Sequence, residues 1–187
     1  MNYITSRAKI RKIAFAGVIA ALYAAITIAL QFISFGPIQF RVAEALCILP
    51  FFFPFSVWGL FVGCILANML SPYPLDIVVG AVASLLAAIS TMWIGKLGKE
   101  RLVAKFLACL PPVVFNAVLI GGMVAFYMMG SGEIKEFFTA FIISMAQVGL
   151  GQLVVLYAVG FPLLIYFPKS KVFSKLLEYY NMYITPE

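Results

Sequence analysis

Histidine is absent from the 187 residues, only 11% of them are charged, and there are three cysteines. Each shortage removes a class of function. Without histidine there is no Ser–His–Asp triad and no imidazole to complete a metal site. The seven Asp and Glu residues are too dispersed for two-metal chemistry. An intramembrane enzyme therefore lacks catalytic groups here, and no cofactor is implied. Cys47, Cys64 and Cys109 lie in or beside apolar runs and form no CxxC pair, so they read as small buried hydrophobes. The chain also lacks a phosphate loop: Gly95-Lys96-Leu97 is not a Gly-rich cradle followed by Ser or Thr. By itself it should not hydrolyse ATP. The shortage of charge is the most telling of all. A soluble domain is about a quarter charged, whereas this chain is 64% hydrophobic with a mean hydropathy of +1.07. It could not coat itself in polar groups, so its solvent is lipid.

What is present is a series of apolar runs, each judged against the ~20 residues needed to span a bilayer. They cover residues 13–35, 42–53, 55–70, 77–94, 111–129 and 137–167. The first is longer than a signal-peptide core and lacks a small-residue cleavage site, so it is expected to stay as a helix. The second is short and ends at Pro54. Pro111-Pro112 suits the opening turn of the fifth. The sixth exceeds the length of one straight span, so either Gly149, Gly151, Gly160 and Pro162 bend it or its ends project. After it, Phe173, Leu176, Leu177 and Tyr180 recur at helical spacing, making 172–187 an interfacial tail. The expectation is one domain over residues 1–187: an all-α integral membrane bundle of six transmembrane helices.

The charges orient it. Arg7, Lys9, Arg11, Lys12, Lys96, Lys99, Arg101, Lys105, Lys169, Lys171 and Lys175 fall on one side, leaving Arg41 and Lys135 on the other. By the positive-inside rule both termini are cytoplasmic in a multi-pass protein of the cell membrane. The same distribution removes a nucleic-acid partner, because the cations flank spans and form no groove-facing surface.

Polar groups at membrane depth are costly and usually face a bundle interior or a cavity. The connector 34–45 carries Gln39, Arg41 and Glu44. Arg41 and Glu44, three apart, either form an ion pair at the helix opening or serve a bound solute, with Gln39 adding an amide. Asp76 opens the fourth run, where it either N-caps the helix or meets solute. Asn68 sits near the outer end of the third run and Gln147 in the outer part of the sixth, both able to contact ligand. Asn116 and Gln152 lie deeper and can bond each other as interhelical glue. Small residues at Ala16, Ala20 and Ala24, with Gly17, Ala21, Ala25 and Ala29 alongside, let another helix approach closely. That helix belongs either to this bundle or to a separate membrane protein.

Taken in order, several blocks resemble the QueT family. They are residues 35–46 (Phe-Gly-Pro-Ile-Gln-Phe-Arg-Val-Ala-Glu-Ala-Leu), Leu49-Pro50, Gly59 to Cys64, Ala67-Asn68, Leu75 to Val78, Pro111 to Ala117 and Gly149 to Gln152. The resemblance covers about residues 9 to 168 and is specific as a set. Members are substrate-binding S components of energy-coupling-factor (ECF) transporters, a kind of ABC importer, assigned to queuosine precursors. It implies a six-helix bundle that binds solute on the outer side, partly under the loop between the first two helices. It further implies docking, through small residues on helix one, to a transmembrane coupling protein carrying two ATPase subunits. The implied solute is a 7-deazaguanine such as queuine. Its substrate-binding groups would be drawn from Gln39, Arg41, Glu44, Asn68, Asp76, Asn116, Gln147 and Gln152, with Ala16, Ala20 and Ala24 as docking residues. A protonated amine on the solute would favour Asp76 or Glu44, and Phe35, Phe40 or Tyr73 could stack on a flat base. Two alternatives stand beside it: an S component for another vitamin-like solute, and a solitary channel or structural membrane protein.

Overall fold

The computed structural model describes residues 2–36, 38–98 and 101–184, and side chains from Lys9 onward. Every regular element among them is helical. Helix α1 (Asn2–Ala29) is followed by the single turn α2 (Gln31–Ser34) and by a 3-10 helix, Val42–Phe51. Then come α3 (Ser56–Asn68), α4 (Asp76–Gly98), the short α5 (Leu102–Ala108) and α6 (Leu110–Gly130). The last long stretch comprises α7 (Phe137–Val155), a π-helical segment Leu156–Gly160 and α8 (Phe161–Tyr166). The tail is α9 (Lys171–Tyr183).

Four stretches are long and apolar enough to cross a membrane: Lys9–Ala29, Asp76–Gly98, Leu102–Gly130 and Phe137–Lys169. The other two apolar helices, Val42–Phe51 and Ser56–Asn68, are shorter. Their geometries compensate for different residue counts. A 3-10 helix rises about 2.0 Å per residue, so ten residues extend about 20 Å. That matches the thirteen α-helical residues of α3 at 1.5 Å each.

Glycine decides where helices touch. A Cβ on Gly59 would lie 2.6 Å from the Ala16 carbonyl oxygen, and one on Gly63 would lie 2.9 Å from that of Ala20. The backbones of α1 and α3 therefore meet along the Ala16/Ala20 side, and Ala20 and Ala24 are buried within the chain. The small-residue stripe is thus occupied by this bundle's own α3. Gly17, Ala21 and Ala25 beside it remain exposed.

The long final run changes its helical form just before its proline. Pro162 has no N–H, and its ring would press on the carbonyl four residues earlier. The π turn at Leu156–Gly160 widens the helix just before that point. Ser170 then caps α9, its Oγ accepting from the Phe173 N–H at 3.1 Å. The tail packs onto the bundle. Phe173 and Tyr180 are buried against Phe52 and Phe53, with Leu176 and Leu177 packed on the same cluster. The Tyr180 phenol accepts the Phe55 N–H at 2.8 Å, tying tail to bundle.

Candidate functional site

Two sets of buried polar residues bond internally, and an open cavity lies apart from them. The first set holds Arg41, which is 2% exposed, and Asp76, which is fully buried. Arg41 Nη2 donates to Asp76 Oδ2 at 2.7 Å, making the one ion pair among the described residues. The guanidinium also stands 5.1 Å over the ring of Phe35. Asn68 braces this corner from α3, its Nδ2 donating to the Asp76 carbonyl at 2.8 Å. Gly80 leaves room for that arrangement, since a Cβ there would strike the Asn68 amide.

The second set surrounds Glu44, also fully buried. Its Oε1 accepts the Tyr23 hydroxyl at 2.6 Å and the Ser84 hydroxyl at 3.4 Å, and its Oε2 accepts the Cys47 thiol at 3.0 Å. Two expectations are corrected here. Arg41 pairs with Asp76, from a different helix, and not with its near neighbour Glu44. Nor does the Asp76 carboxylate cap α4: Oδ2 takes Arg41, and Oδ1 has no protein partner.

Asn116 and Gln152 are buried on α6 and α7 but do not bond each other. Both amide atoms of Asn116, and Oε1 of Gln152, lack a partner in the protein. A buried polar atom left so costs about 1–3 kcal/mol.

The cavity lies at the end of the bundle where the connectors 35–41, 69–75 and 131–136 gather. It holds about 270 Å³ and is walled by Phe35, Gly36, Gln39, Tyr73, Val124, Met128, Glu133, Ser144, Gln147 and Val148. This is near the lower end of small-molecule pockets. Of the residues singled out from sequence, Gln39 and Gln147 line it, with Phe35 and Tyr73 as the aromatic faces. Arg41, Glu44, Asn68, Asp76, Asn116 and Gln152 are not among its walls. Glu133 and Ser144 were missed as site residues. Ser144 was within reach, since it is three residues before Gln147 and so shares its helix face. Glu133, in the glycine-flanked loop 130–133, had only its place between two spans to recommend it.

The loop over the cavity is held by close packing. A Cβ on Gly151 would run into the Gln39 carbonyl, so only glycine lets α7 carry the connector this near. Tyr73 lies 4.9 Å, ring to ring, from Tyr127, whose hydroxyl accepts the Leu75 N–H. Chemically the walls provide two amides that each donate and accept, a hydroxyl, an acceptor-only carboxylate and two aromatic rings. Such a set suits a small flat solute with hydrogen-bonding edges.

Apolar helices of membrane-crossing length, with connectors gathered over a partly polar cavity, define a multi-pass membrane protein. Comparison with known proteins narrows the class. The family model described as QueT transporter matches residues 13–169. The chain belongs to the QueT transporter family, a family of transporters and not of enzymes. It is also similar to the queuosine precursor transporter QueT of Lactococcus lactis subsp. cremoris (strain MG1363), 40% identical over 70 residues. That alignment covers 36% of this chain and 41% of the relative, so the match spans less than half of that relative's length. No solved structure matches the chain.

Proposed function

We propose that this protein is the substrate-binding S component of an ECF-type importer. It captures a queuosine precursor, queuine or a related 7-deazaguanine, at the outer face. It releases that solute inward when docked to a coupling protein with two ATPase subunits. The observation that carries this, beside the family, is the cavity bounded by Phe35, Gln39, Tyr73, Ser144 and Gln147. A deazaguanine edge presents adjacent donors and a carbonyl. Gln39 and Gln147 answer either kind of group, and Phe35 and Tyr73 offer their faces to the flat ring. Glu133, at the rim, is the carboxylate available to a protonated amine. The unpartnered amide of Asn116 and the Oε1 of Gln152 belong to the same proposal as deeper contacts, because they are hydrogen-bonding groups the protein leaves unused. Arg41, Asp76, Asn68 and Glu44 act in it by holding the connector and the helix ends.

Six spans with both termini inside follow from the charge distribution. The docking edge is then the exposed Gly17/Ala21/Ala25 side of α1, next to the Ala16/Ala20/Ala24 stripe that α3 covers. Isothermal titration of the detergent-purified chain with queuine, its aminomethyl precursor, riboflavin, thiamine and biotin tests the solute. A deazaguanine should bind and the others should not, and Gln147→Ala should weaken binding about ten-fold, for a lost buried hydrogen bond. Preference for another vitamin, or an unchanged affinity in the variant, removes this solute or this cavity. Co-purification with a coupling protein and two ATPases tests the assembly.

A further inference from the structure

A second and larger cavity opens at the opposite end of the bundle. It holds about 520 Å³ between α1, the 3-10 helix, α8 and α9. Its walls are almost wholly hydrocarbon, and Arg11 and Tyr179 are the lining residues that carry polar heads. Along α1 it runs from Arg11 to Leu22, about 16 Å at 1.5 Å per residue. That is close to half of a ~30 Å hydrocarbon core, the depth of one leaflet. Val18 and Leu22 are exposed, so the cleft opens sideways toward surrounding lipid. Its mouth is basic. Arg11 is half-buried, lies 4.4 Å over the ring of Tyr183, and pairs with no carboxylate among the described residues. Lys12 follows Arg11 on α1, and Lys171 and Lys175 lie on α9, where Glu178 is the one acid and pairs with none of them.

We propose that this cleft holds an acyl chain of an anionic phospholipid, with the headgroup phosphate on Arg11. Two features argue for that occupant. The dry wall, one leaflet deep, accepts a hydrocarbon chain and offers nothing to the hydrogen-bonding solute assigned to the other cavity. The guanidinium of Arg11 matches phosphate in its fork geometry, and basic pockets between membrane helices favour acidic headgroups. This site is independent of the solute reading above.

Native mass spectrometry of the delipidated full-length chain tests it, titrating phosphatidylglycerol against phosphatidylethanolamine with identical acyl chains. One phosphatidylglycerol should be retained about five-fold more tightly, the effect of a single cation at the headgroup. Arg11→Gln should abolish the preference, and Arg11→Lys, which keeps the charge, should retain most of it. Ala14→Trp, filling the cleft from an exposed position on α1, should lower retention of both lipids. Equal retention by the unmodified chain overturns the proposal, as does a preference that survives Arg11→Gln or retention that survives Ala14→Trp. Thermal denaturation of each variant shows that the fold is intact when the lipids are compared.

Discussion

Arg41 is the most demanding residue in the molecule, because a buried guanidinium cannot shed its charge. Its stability rests on Asp76, 2.7 Å away, and neither side chain touches solvent to any extent. Removing one member strands the other, which typically costs about 3–5 kcal/mol. Arg41→Gln and Asp76→Asn should each lower the thermal midpoint in detergent markedly. The double variant should lose much less than the sum, since both changes act on one contact. Additive losses would mean the pair is not coupled. Glu44 is a different case. Its three donors come from Tyr23, Cys47 and Ser84, so Glu44→Gln disturbs an internal network and should cost about 1–3 kcal/mol. Solute affinity should stay within about two-fold in that variant, because the residue does not wall the cavity. A ten-fold loss measured by titration on folded protein would instead make Glu44 a solute ligand. The importance of both residues was legible from a cation and a carboxylate in an apolar setting. Their partners were not, since Arg41 reaches 35 positions along the chain and Glu44 reaches back 21. Sequence spacing offered the nearer pairing, Arg41 with Glu44, and long-range packing chose otherwise.

At the scale of elements, the connector 35–41 depends on a helix that it does not continue. Gly151 on α7 brings the Gln39 backbone into contact, and Gln39 and Phe35 then form part of the cavity wall. Gly151→Ala must push the connector outward or distort α7, since the obstacle is backbone and cannot rotate away. Solute affinity should fall about ten-fold, the loss of a hydrogen bond or a stacking contact at 1–1.5 kcal/mol. The thermal midpoint should move much less than in Arg41→Gln. If affinity is unaffected, the connector is not the roof of the solute site. The element order itself could be read from apolar runs and their punctuation: Pro111-Pro112 does open α6, and the tail residues Phe173, Leu176, Leu177 and Tyr180 do share a helix face. Hydropathy carries no information on helix pitch, however. It could not distinguish the 3-10 form of Val42–Phe51 from a short α-helix, and it gave no sign of the π turn at Leu156–Gly160 in the last run.

For the whole molecule, the decisive question is which end faces out. The connectors that gather over the polar cavity carry Arg41, Glu133, Lys135 and Glu136, whereas the opposite end collects the Lys and Arg residues that flank α1, α4, α5 and α9. If the positive-inside rule holds, the cavity opens outward and the apolar cleft lies in the inner leaflet. Single cysteines at the two ends separate the possibilities, because native Cys47, Cys64 and Cys109 are buried and give little background. In intact cells, a membrane-impermeant maleimide should label Lys135→Cys, beside the cavity. Lys171→Cys, at the start of α9, should be labelled only after permeabilisation. The connector position reports the side on which the polar cavity lies and the tail position reports the opposite end, so one experiment tests both halves of the proposed orientation. The reverse pattern would place the solute cavity in the cytoplasm, where capture from outside is impossible, and uptake would then have to be abandoned whatever the cavity binds.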